Sequence, residues 1–132
     1  MQSPHLQEQE FSGLLRILSF HSGKDPRGLL TVYDHEALPF VPRRSFVVTD
    51  VPAGTVRGGH AHKKFEQVLI CLSGKIKVNV VCDSKRASVN LSDPSVGLFL
   101  GAGVWAEQVY EVESSSLLVF ASLPYDRDSY IS

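Results

Sequence analysis

The chain never stays apolar for long. Its hydrophobic residues come in short bursts, Leu14 to Phe20, Leu29 to Tyr33, Ser45 to Thr49, Phe65 to Leu72, Lys75 to Val81, Ala87 to Leu91, Gly97 to Leu100, Trp105 to Val112 and Leu117 to Ser122. Bursts of that length and spacing are strands. Between them lie residues that reverse the backbone or tolerate positive φ, namely Gly23-Lys24-Asp25-Pro26, Pro52-Ala53-Gly54, Ser73-Gly74, Asp83-Ser84, Ser92-Asp93-Pro94 and Gly101-Ala102-Gly103. The stretch from Lys75 to Val80 alternates with period two. That alternation predicts Ile76, Val78 and Val80 toward a core and Lys75, Lys77 and Asn79 toward water. No window of about eleven residues carries a helical stripe. The chain therefore predicts an all-β sandwich or barrel, and its run of short strands suits a double-sheet jelly roll.

With 132 residues, 43% of them hydrophobic, and with seven Phe, four Tyr and one Trp, there is material for one core and one domain. Met1 to Glu10 is polar, contains Pro4 and has no periodicity. Residues 1–12 accordingly read as a loose arm and residues 13–132 as the domain. Thirteen basic against fourteen acidic side chains, interspersed along the chain, exclude a surface for wrapping nucleic acid. An anionic partner must be small. No apolar run approaches the ~18 residues of a membrane helix. Cys71 and Cys82 form no spaced framework, and the N-terminus lacks the apolar centre of a signal peptide, so the cytoplasm is the expected compartment.

Chemistry becomes visible between Gly54 and Glu66, where a glycine-rich turn runs into a strand as Gly-Thr-Val-Arg-Gly-Gly-His-Ala-His-Lys-Lys-Phe-Glu. His60 and His62 are two apart, so an extended backbone projects both imidazoles from one face, and Glu66 shares that parity if no bulge intervenes. Such a set can hold a divalent metal as two histidines and a carboxylate, or supply a base with its orienting partner for proton transfer. Spacing alone leaves both open.

The pattern G-x5-H-x-H-x3-E resembles the first signature of the cupin superfamily, whose members are double-stranded β-helix barrels with the site inside. In the stretch corresponding to the second signature, Gly97 to Ala106, Ala106 stands where a histidine is expected. More narrowly, Pro39-Phe40, Arg44, Asp50, Arg57-Gly58, the string from His60 to Cys71, Val96-Gly97-Leu98, Val104-Trp105, Tyr125-Asp126 and Tyr130-Ile131 resemble the dTDP-4-keto-6-deoxyglucose 3,4-ketoisomerases. The resemblance implies a cytoplasmic cupin homodimer, free of metal and cofactor, that binds a dTDP-sugar. By the same resemblance it is expected to move the keto group between C4 and C3 of a 6-deoxyhexose destined for deoxysugars of polysaccharides or natural products.

That shift requires a base reaching both carbons, and histidine suits the task. Carried over residue by residue, His60 is the base and His62 its partner, with Glu66 an orienter by parity. Arg44 and Arg57, with Lys63 behind them, oppose the diphosphate. Arg27-Gly28 resembles the dipeptide of members that invert C4, which puts Arg27 near the sugar. Two departures matter. Phe46 stands where the family carries a tyrosine beside the base, and Ala106 follows Trp105 where the family carries a histidine; neither passes a proton. His21, His35, Tyr33 and Tyr110 are the other groups able to stand in, and parity alone places none of them. Two other readings follow from these residues: a non-catalytic nucleotide-sugar-binding cupin, and a metal-dependent cupin enzyme built on His60, His62 and Glu66.

Overall fold

In a computed structural model the described residues are 11, 13–62, 64–124 and 130–131, with the side chains of His62, Tyr130 and Ile131 outside the description. The strands are β1 (Leu15–Ser19), β2 (Ser22–Asp25), β3 (Gly28–Thr31), β4 (Arg44–Val48), β5 (Thr55–His62), β6 (Gln67–Ser73), β7 (Ile76–Cys82), β8 (Lys85–Leu91), β9 (Val96–Leu100), β10 (Trp105–Tyr110), β11 (Ser116–Ala121) and β12 (Tyr130–Ile131). One five-stranded sheet runs β1-β9-β6-β11-β4 and the other β12-β5-β10-β7-β8, with β2 and β3 forming a separate hairpin. Every pairing is antiparallel. The molecule is the all-β jelly-roll barrel expected of a cupin.

Local chemistry accounts for most of these elements. β7 alternates buried Ile76, Val78 and Val80 with half-buried Lys77 and Asn79, as its period-two pattern requires. β6 is apolar without alternation because both of its faces are covered, and Gln67 to Cys71 are all buried. Leu69 and Cys71 face the barrel with Ile76, Val78, Leu98, Leu117 and Val119. Val68 and Ile70 face outward beneath Phe20, Leu38, Phe99 and Phe120, against which Tyr33 and Phe40 pack. Truncating a core leucine such as Leu69 to alanine would cost about 2–5 kcal/mol. Phe11, assigned by sequence to the arm, is only 3% exposed and belongs to the inner core. The barrel therefore recruits the chain from at least that point, while residues 1–10 lie outside the description.

Two strands were hidden from the sequence. The turn formers Gly23-Lys24-Asp25-Pro26 lie largely within β2, which pairs with Gly28–Thr31, and the reversal falls at Asp25 to Gly28. β12 is two residues long and carries no periodicity of its own.

Candidate active site

A cavity of about 220 Å³ lies between the two sheets. From one sheet it is walled by Arg57, His60, Ala106, Gln108 and Tyr110, and from the other by Phe46, Val48, Gln67, Leu69, Leu117 and Val119. β10 alternates regularly, so Ala106, Gln108 and Tyr110 all face inward. Their partners across the pair are His60, Arg57 and Thr55.

The placement of Arg57 depends on an irregularity. Unbroken alternation would put Arg57 and His60 on opposite faces, because they are an odd number of residues apart. The register shifts at Ala106/Glu107, where Ala106 pairs with His60 but Glu107 pairs with Gly58. Gly59 is the extra residue of a β-bulge, and it brings both side chains onto the cavity wall. Gly58 and Gly59 have φ of 85° and 83°, the left-handed region that glycine enters without penalty. At Gly58 space is also lacking: a Cβ there would stand 2.9 Å from Gln108 Oε1 and 3.1 Å from the Ala106 carbonyl oxygen.

His60 is half-buried on this wall. His62 follows two residues later, its backbone paired with Tyr130, but its side chain lies outside the described residues, as does Lys63. Arg44 opens β4, and its guanidinium lies 5.4 Å from the ring centre of Phe46 and 5.2 Å from that of Phe65. Phe46 is on the cavity wall, so Arg44 borders the cavity, its plane held by two aromatic rings.

Two of the expected site residues stand away from this cavity. Glu66 is absent from the wall. Parity carries from His62 to Glu66 only along an unbroken strand, whereas β5 ends at His62 and β6 begins at Gln67. Glu66 is pinned instead by its backbone, its N–H donating to Ser122 Oγ at 2.9 Å and its carbonyl accepting from the Ser122 N–H at 3.0 Å. Gln67 takes the inward position and is 6% exposed. Arg27 also stands apart from the cavity, in the exposed turn of the β2–β3 hairpin, bound to the Asp25 carboxylate at 2.7 Å. That hydrogen-bonded guanidinium holds the Asp25 carboxyl below its usual range.

Of the groups able to replace the missing tyrosine and histidine, Tyr33 is engaged elsewhere, its hydroxyl donating to the Pro94 carbonyl at 2.6 Å. His35 packs against Phe120, ring centres 5.9 Å apart, and like His21 it is absent from the cavity wall. Tyr110 is on that wall. Burial is the main cause that pushes its phenol pKa up; the Arg57 charge opposes this and Cys71 adds to it. Gln67 and Gln108 escaped sequence reading and Tyr110 was named there but not placed, although counting by twos along β10 from Ala106 reaches Gln108 and Tyr110.

Residues 14–132 match the protein family described as FdtA: WxcM-like, C-terminal. The chain belongs to this family of sugar 3,4-ketoisomerases. It is 34% identical over 117 residues, 88% of its length and 84% of the relative's, to the TDP-4-oxo-6-deoxy-alpha-D-glucose-3,4-oxoisomerase of Aneurinibacillus thermoaerophilus. QdtA, a sugar 3,4-ketoisomerase from Thermoanaerobacterium thermosaccharolyticum solved in complex with TDP, superposes with a TM-score of 0.84 at 38% identity, covering 89% of this chain and 87% of that one. A histidine-to-asparagine variant of the same enzyme was solved with TDP-4-keto-6-deoxyglucose, at TM-score 0.84 and 37% identity over 89% and 86% of the two chains. The TDP-quinovose 3,4-ketoisomerase WlaRB of Campylobacter jejuni is 33% identical with a TM-score of 0.82, over 89% and 91% of the two chains. These relatives are isomerases, and the expectation of an enzyme stands with them. Phe46 and Ala106 both lie on the cavity wall.

Proposed function

We propose that the protein moves the keto group between C4 and C3 of a dTDP-linked 4-keto-6-deoxyhexose through an enediolate. One observation carries the reading: the bulge at Gly58 and Gly59 sets His60 and Arg57 on one wall of a cavity between the sheets. His60 is the base that takes the C3 proton and returns it to C4, and His62 is its partner. Arg44, held between Phe46 and Phe65 at the cavity's border, and the exposed Arg57 on its wall supply the counter-charge that a dTDP diphosphate needs. Lys63 is a further cation for the same group. The TDP bound to QdtA supports the choice of nucleotide. Cys71 and Cys82 are unpaired, consistent with a reducing cytoplasm.

Incubation with dTDP-4-keto-6-deoxyglucose, followed by NMR, is expected to give a 3-keto product whose formation a chelator leaves unchanged. Binding of dTDP without product would favour the second reading, a non-catalytic sugar-nucleotide receptor, which Phe46 and Ala106 support. Activity abolished by chelation and restored by a divalent ion would favour the metal-dependent one.

A further inference from the structure

Moving a ketone from C4 to C3 relocates two hydrogens, one from C3 to C4 and one from O3 to O4. His60 serves the carbon pair. The oxygen pair needs a group that gives and takes a proton, and Phe46 and Ala106, on the cavity wall where such groups are expected, can do neither.

Tyr110 lines the same cavity. It is wholly buried, and its hydroxyl has no hydrogen-bond partner among the described residues. Burying a hydroxyl unpaired carries a desolvation penalty, native structures keep few such groups, and one retained at a cavity wall implies a partner that arrives with a ligand. Gln67 and Gln108 stand on the same walls, from opposite sheets. Two neutral amides and a phenol are the donors and acceptors suited to sugar oxygens, whereas they offer a diphosphate nothing to neutralise its charge.

We propose that Tyr110 is a further catalytic residue that relays the proton between the two sugar oxygens. As His60 removes the C3 hydrogen, the C3–H electron pair forms the C3=C4 double bond and the C4=O4 pair takes the phenol proton. The O3–H proton then passes to the phenolate, its bonding pair closes the C3=O3 carbonyl, and the double-bond pair takes the proton from His60 at C4. Phenol and imidazole end as they began, with no outside reactant. A phenol is protonated at neutral pH, the state from which it donates.

The inference rests on the ketoisomerase reading, and one experiment separates the two. Wild type and Tyr110→Phe are incubated with dTDP-4-keto-6-deoxyglucose in D2O, and 3-keto product, deuterium at C3 of recovered substrate and melting temperature are measured. In the variant, product formation and deuterium exchange at C3 are both expected to fall about 10²-fold, because the phenol protonates O4 as C3 is deprotonated, while the fold is no less stable, since only an unpaired oxygen has gone. Adding Phe46→Tyr to Tyr110→Phe is expected to recover part of the product, because it returns a hydroxyl to the same cavity. Wild-type product formation in Tyr110→Phe, or a loss of product that comes with a loss of stability and no recovery in the double variant, overturns the relay and leaves the ketoisomerase reading standing. A wild type that forms no product overturns both.

Discussion

His60 and Arg44 do different work, and substitutions separate it. Replacing His60 with asparagine keeps a polar side chain but removes the proton acceptor. Product formation should drop by about 10²- to 10⁴-fold while dTDP affinity, measured by calorimetry, stays close to wild type. A His60→Asn variant with normal turnover would remove the imidazole from the mechanism. Arg44 is held by geometry as well as charge, its guanidinium lying against Phe46 and Phe65. Lysine retains the charge but lacks the planar fork that stacks and binds two phosphate oxygens at once. Arg44→Lys is therefore expected to weaken dTDP binding about tenfold, near 1.4 kcal/mol. Equal affinity in the lysine variant would mean that only charge matters at this position.

At the scale of the element, β5 owes its function to two adjacent glycines that differ in what they demand. Both need positive φ, which costs any other residue roughly 1–2 kcal/mol. A Cβ at Gly59 would meet only Trp105, at an ordinary 3.9 Å, whereas one at Gly58 would press on Gln108 and on the Ala106 backbone. Gly59→Ala should lose about 1–2 kcal/mol of stability by denaturant unfolding. Gly58→Ala should lose more, and much of its activity too, because it disturbs the register that turns Arg57 inward and the side chain of Gln108. Equal losses at the two positions would count against the close approach. The neighbouring turn shows why parity failed for Glu66. Alternation is a property of continuous strand, and the chain leaves one sheet after His62 and enters the other at Gln67. Nothing in the intervening residues announces which of the two neighbours, Glu66 or Gln67, will face the cavity.

For the molecule as a whole, stability should fall on the alkaline side. Burial pushes the Cys71 thiol from its ordinary 9.0 to about 11, and burial likewise raises the Tyr33 and Tyr110 phenols. Each group holds its proton longer folded than unfolded. The contribution from Cys71 is thus complete below pH 9 and is lost as pH climbs toward 11. Denaturant midpoints should decline over that window, and Cys71→Val, close in volume, should flatten the decline; an unchanged slope would exclude the thiol. The hairpin of β2 and β3 exposes Leu29 and Leu30, 53% and 67% accessible, and among the described residues it joins neither five-stranded sheet. A second copy of the chain is the occupant implied by the family resemblance. Light scattering is expected to give a dimer that Leu30→Glu weakens, and a monomer at micromolar concentration would refute it. Strand alternation, turn chemistry and the His60-Ala-His62 spacing are local properties, so the sequence alone determined an all-β barrel with both histidines on one strand. Whether Arg57 shares a wall with His60, whether Glu66 or Gln67 turns inward, and that the Tyr110 hydroxyl ends buried without a partner were decided only in three dimensions. A bulge, a change of sheet and the enclosure of a cavity each depend on strands far apart in the chain, and no local pattern records them.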